Sequence, residues 1–115
     1  PVDAVNFGPD PADRHTVRDV VERAIDAWGA GSWEIPEGSA QLHEAGQLRL
    51  AIDRARDRLG WEPVWGFDET VARTIGWYRG FVAGAAASDL VRSDLHAYAA
   101  SVDAMSAGVA DRRDT

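Results

Sequence analysis

Four stretches of this 115-residue chain carry apolar residues at steps of three and four, and that period is the strongest constraint on its fold. Val17, Val20, Val21, Ala24, Ile25 and Trp28 share one face of a helix. Thr16 caps it, with Asp19 three residues on as a capping-box partner, and Gly29 and Gly31 stop it. Ile52, Ala55 and Leu59 space a second helix that starts between Ala51 and Asp53 and ends at Gly60. Asp68 is expected to cap a third, with Glu69 favouring its positive end. Its stripe of Val71, Ile75, Tyr78 and Val82 is widened by Trp77 and Phe81, which predicts a helix packed between neighbours. Ser93 is expected to cap a last helix, in which Leu95, Tyr98, Val102, Met105 and Val109 form a short seam.

Two segments read as strands. Ala4 to Phe7 is a short apolar run ended by Gly8-Pro9, and Ser32 to Ile35 alternates apolar and polar before Pro36. Pro63 keeps Glu62 out of helical dihedrals, so 61–67 should be extended or turn-like. The expected fold class is therefore α+β: a small, mostly helical domain of about four helices and two or three short strands. It spans 1–110, with 111–115 a frayed tail. So few strands cannot build a doubly wound sheet.

Net charge is −7, which argues against nucleic acid and against anionic membranes as partners. No apolar run approaches the ~20 residues of a membrane span, and no signal pattern opens the chain. With no Cys there is neither a disulfide framework nor a thiolate site, and a cytoplasmic location is expected. All twelve basic residues are Arg. The absence of Lys excludes a Schiff-base Lys, a P-loop Lys and the Tyr-x-x-x-Lys pair of short-chain dehydrogenases. The isolated His15 and His96 give a metal site no support, and none is expected.

Several motifs, taken in order, resemble one family. They are Asn6-Phe7-Gly8-Pro9; a helix ending in Trp28-Gly29; His43-Glu44-Ala45 with Leu48-Arg49-Leu50; Leu59-Gly60-Trp61-Glu62-Pro63 with Trp65; and Leu90 to Tyr98. The series is similar to the closing part of the CDP-glucose 4,6-dehydratase family, within the extended short-chain dehydrogenase/reductase (NAD-dependent epimerase/dehydratase) superfamily. The resemblance implies a C-terminal substrate domain that closes over the nucleotide diphosphate and shapes the sugar pocket. NAD belongs to the Rossmann part of such enzymes, and no cofactor is expected in this chain. Where the family has His-Tyr after His-Glu-Ala, this chain has Gly46-Gln47. Ala51 replaces the family's Asp, and Arg49 its Lys.

His43, Glu44 and Arg49 are the substrate-binding candidates that the resemblance implies, with His43 and Arg49 towards the diphosphate. Taken on residue chemistry alone, His43 with Glu44 is equally a solvent-exposed or structural pair, and Arg49 a surface residue. Arg54, Arg56 and Arg58 point around their helix and read as a solvated face. Trp61, Trp65 and Trp77 are a sugar-stacking platform or, more simply, core and interface packing. No catalytic residue is assigned.

Three readings follow. The first is the nucleotide-sugar-binding portion of a 4,6-dehydratase-like lyase, as a fragment or as a subunit of a split enzyme acting with a separate Rossmann-domain partner. The second is a stand-alone truncated homologue that serves as a binding or interaction protein. The third is a repurposed, cofactor-independent small-molecule enzyme, with His43, Glu44 and Asp53 in a pocket walled by Trp33 and Trp65. A homodimer through the last helix or the Trp-rich face is also expected.

Overall fold

The computed structural model describes residues 4–34 and 50–113. Among them the regular structure is entirely helical: α1 Val17–Trp28, α2 Asp53–Leu59, α3 Phe67–Val82 and α4 Ala87–Arg113. The α+β expectation is thus corrected, because neither strand forms. Residues 4–10 and 31–34 carry no regular structure. A strand is stable only against a neighbour that accepts its backbone hydrogen bonds, and alternation alone does not supply one. What holds 4–10 is side-chain anchoring. Arg54 Nη1 donates to the Ala4 carbonyl at 2.9 Å, and Arg56 Nη2 donates to Asp10 at 3.2 Å. Two of the three arginines read as a solvated face therefore clamp the first segment onto α2, leaving Arg58 exposed.

Helix α1 starts with the expected capping box. Thr16 Oγ1 accepts from the Asp19 N–H at 3.1 Å, and Asp19 accepts from the Thr16 N–H at 2.8 Å. That backbone bond holds the Asp19 carboxyl below its ordinary pKa, helped by the Thr16 hydroxyl, His15 and Arg18. A depressed carboxylate pKa stabilises the fold above its unfolded value and loses that contribution as pH falls through the folded one. Helicity should accordingly decline on acidification from about pH 5 to about pH 2, followed by far-UV circular dichroism. Thr16→Ala should lower stability by about 1 kcal/mol, read by urea denaturation.

Helix α2 is seven residues long and too short to persist alone. Packing fixes it: Ile52 and Ala55 are the only fully buried residues among those described. Gly60 ends it at φ 64°, and the left-handed turn lets the Trp61 N–H reach the Ala55 carbonyl at 3.2 Å. A Cβ there meets nothing within 4 Å, so only backbone strain opposes it. Gly60→Ala should therefore cost about 1 kcal/mol, measured by chemical denaturation.

Helix α3 lies between α1 and α4. It begins one residue before Asp68, with Gly66 as N-cap and no side-chain cap of its own. The expected Asp68 cap is replaced from a distance: Asp13 accepts from the Phe67 N–H at 3.2 Å. Asp68 instead pairs with Arg23 of α1 at 3.0 Å, tying the two helices together. Helix α4 folds back along α3 after a turn at 83–86, and a Cβ on Gly80 would come within 2.9 Å of Leu90 Cδ2. The missing side chain lets the two helices approach closely. The helix starts at Ala87, six residues before the expected Ser93, and runs through Arg113 into the segment expected to fray. Asp89 in its first turn favours this earlier start, because a carboxylate there meets the positive end of the helix.

Candidate functional site

The described residues form an open apolar cleft of about 350 Å³. It joins segments far apart in sequence. Phe7 to Pro9 form one wall, Trp61 and Pro63 to Phe67 the floor, and Tyr98 of α4 the far side. The aromatic rings brace one another. Phe7 meets Trp61 edge-on at 5.1 Å, and Tyr98 meets Trp65 edge-on at 5.1 Å.

Trp65 is the hinge of this arrangement. Its indole N–H donates to Ser101 Oγ at 2.9 Å, and the Arg73 guanidinium lies 4.4 Å from its ring centroid. Arg73 Nε is buried without a hydrogen bond, although Glu69 stands 3.5 Å away. The face of Trp65 therefore carries the Arg73 guanidinium in a favourable cation–π geometry.

Beside the cleft is a cluster that the sequence reading missed. The His15 ring stacks on Phe67 with centroids 3.7 Å apart and planes 10° from parallel. Its Nε2 pairs with Asp13, the carboxylate that also caps α3, while Asp19 stands 3.7 Å from Nδ1. The expectation that His15 is isolated is thus corrected. Its partners are two carboxylates, and among the described residues no group of His, Asp or Glu is arranged to hold a metal ion. The local signal was present in Asp13-x-His15, but the aromatic partner lies more than fifty residues away.

The sequence-derived candidates fare unevenly. His43, Glu44 and Arg49 lie outside the described residues, as do Gly46 and Gln47. Trp61 and Trp65 do line the cleft, whereas Trp77 stacks on Phe81 of its own helix at 5.5 Å. The three tryptophans therefore do not form a single platform. Trp33 does not share a pocket with Trp65. It borders a separate polar depression with Glu22, Asp26 and Ser32, and the Arg18 guanidinium covers its ring at 5.2 Å. Among the described residues no helix is long and apolar enough to cross a membrane.

Two curated proteins resemble the chain over most of its length. CDP-glucose 4,6-dehydratase of Salmonella typhimurium is 35% identical over 79 residues, which is 69% of this chain and 22% of that enzyme. dTDP-glucose 4,6-dehydratase of Streptomyces antibioticus is 39% identical over 66 residues, 56% of this chain and 19% of that enzyme. The chain spans about a fifth of the length of the curated relatives it matches. No family model and no solved structure matches it. The similarity supports a superfamily relationship between this chain and the sugar 4,6-dehydratases.

Proposed function

We propose that this chain forms the nucleotide-sugar-facing portion of a 4,6-dehydratase-type enzyme, with the redox chemistry carried by a separate Rossmann-type domain. The observation that carries the reading is the similarity to two sugar 4,6-dehydratases that act on differently named nucleotide sugars. It is consistent with how the cleft is built, since its walls come from Phe7-Gly8-Pro9 and from the stretch after Leu59-Gly60. The diphosphate would be held by His43 and Arg49, with Glu44 beside them. Arg is suited to that task because its planar fork matches two oxygens at once.

The described residues do not fit NAD. The described part is helical, without the parallel strands that carry a dinucleotide, and the sequence contains neither a glycine-rich fingerprint nor a Lys. NAD would therefore be bound by the partner domain, and no step of the reaction is assigned to a residue of this chain. Its contribution is to bind and orient the sugar nucleotide and to exclude water from it.

Isothermal titration calorimetry with CDP-glucose tests the reading. A dissociation constant near 1 μM, corresponding to about −8 kcal/mol, is expected, and His43→Ala and Arg49→Ala should each weaken it by roughly tenfold. Absence of heat up to millimolar CDP-glucose and dTDP-glucose, in a chain that retains its helicity, would overturn it.

A further inference from the structure

The cleft is walled by rings and offers a ligand few hydrogen bonds. Phe7, Trp61, Trp65, Phe67 and Tyr98 line it, and among the described residues no charged side chain joins them. Donors at its floor are already engaged. The Trp61 N–H donates to the Ala55 carbonyl, the Phe67 N–H to Asp13 and the Thr70 N–H to the Gly66 carbonyl. Pro9 and Pro63 have no N–H to give. The Trp65 indole N–H is held by Ser101, and the Thr70 hydroxyl turns back to the Trp65 carbonyl at 3.5 Å.

This lining sorts the parts of a nucleotide sugar. A diphosphate needs cations, and the lining supplies none. A hexose carries hydroxyls round its edge, and each one buried here without a partner would cost binding free energy. A planar base has two apolar faces, which aromatic walls accept. At about 350 Å³ the cleft has the size of a small-molecule site.

Such a site binds a base without identifying it. Stacking depends little on which base is present, whereas a site that hydrogen-bonds a substituent strongly rejects the ring lacking it. The remaining side-chain hydroxyl of the lining, on Tyr98, both donates and accepts. It therefore meets the C4 amino group of cytosine and the C4 carbonyl of thymine alike.

We propose that this cleft is a nucleobase subsite that accepts cytosine and thymine with little preference between them. The proposal rests on the nucleotide-sugar reading and says which part of the ligand the cleft takes.

Saturation-transfer NMR with CDP-glucose on the full chain tests it. Titrations with CMP, dTMP and glucose 1-phosphate, followed by the tryptophan indole N–H signals, accompany it. Saturation should be strongest on the cytosine protons and weakest on the glucose. CMP and dTMP should shift the Trp61 and Trp65 signals and leave those of Trp33 and Trp77 in place. Their dissociation constants should agree within about threefold. Phe7→Ala should weaken both by roughly tenfold, in a chain that far-UV circular dichroism shows to be folded. Glucose 1-phosphate should move neither Trp61 nor Trp65. Strongest saturation on the glucose would overturn the subsite and leave the nucleotide-sugar reading standing. So would a preference of more than about tenfold for either nucleotide, or a folded Phe7→Ala chain that binds as before. If Phe7→Ala loses helix, the saturation pattern and the CMP-to-dTMP ratio decide. Binding of CMP and dTMP without CDP-glucose would keep the subsite and remove the nucleotide-sugar reading. No binding of any of the three would remove both.

Discussion

Ile52→Ala is expected to lower the unfolding free energy by about 2–5 kcal/mol, the usual cost of truncating a fully buried aliphatic side chain. In most small domains that would be a substantial loss. Here it should be close to the whole margin, because Ile52 is the one large side chain with no exposure among the described residues. Ile52 also precedes α2, whose seven residues have little stability of their own. Its Cγ2 lies 3.5 Å from where a Gly8 Cβ would stand, so it packs under the first segment as well. The variant should lose α2 and release residues 4–10 together. Chemical denaturation with a helical readout would show a baseline already sloping without denaturant. A loss under about 0.5 kcal/mol would mean that this small core is not what holds the chain.

Trp65→Ala should have the next largest effect, about 3 kcal/mol. Three contacts disappear at once: the hydrogen bond to Ser101, the edge-on packing with Tyr98 and the seat for Arg73. All three join the loop before α3 either to α4 or to α3 itself, so the loss should be concentrated there. Amide chemical shifts should move around Tyr98 and Ser101 and stay unchanged in α1. Ser101→Ala separates the hydrogen bond from the packing and should cost only about 1 kcal/mol. Equal losses in the two variants would show that the indole N–H, not the ring, holds α4 in place.

What the sequence could reveal was local. The capping box of Thr16 and Asp19 is written in four consecutive residues, and the structure contains it. Gly29 and Gly60 stop their helices because a left-handed residue is needed there, again a local requirement. The strand assignments failed for the opposite reason. Ala4 to Phe7 and Ser32 to Ile35 have the pattern of strands, but among the described residues their backbone groups have no neighbouring strand to meet. The cap of α3 failed in a similar way, because Asp13 reaches Phe67 across 54 positions. No reading of residues around Asp68 could anticipate a carboxylate from before α1.

The candidate site divides along the same line. Trp61 and Trp65 stood out in the sequence through the motif Leu59-Gly60-Trp61-Glu62-Pro63 with Trp65, and both line the cleft. Phe7 and Tyr98 join them only because Arg54, Arg56 and Trp65 fix distant segments against the same floor. His15 read as isolated, yet it stacks on Phe67 and pairs with the carboxylate that caps α3. Its surroundings are set by the packing of α1 against α3, which periodicity predicts in outline but not in register. Likewise, the apolar seam of α4 was legible as spacing, whereas which side faces its own chain was not.

These residues are proposed to provide the substrate side of a sugar 4,6-dehydratase. The most direct test of that role exchanges the matching 79-residue segment of the Salmonella typhimurium CDP-glucose 4,6-dehydratase for the corresponding residues of this chain. The rate of 4-keto-6-deoxy sugar formation from CDP-glucose is then measured beside that of the same enzyme with the segment deleted. Turnover well above the deletion is expected, with its loss on His43→Ala within the exchanged segment. A folded, NAD-binding chimaera with no more activity than the deletion would contradict it.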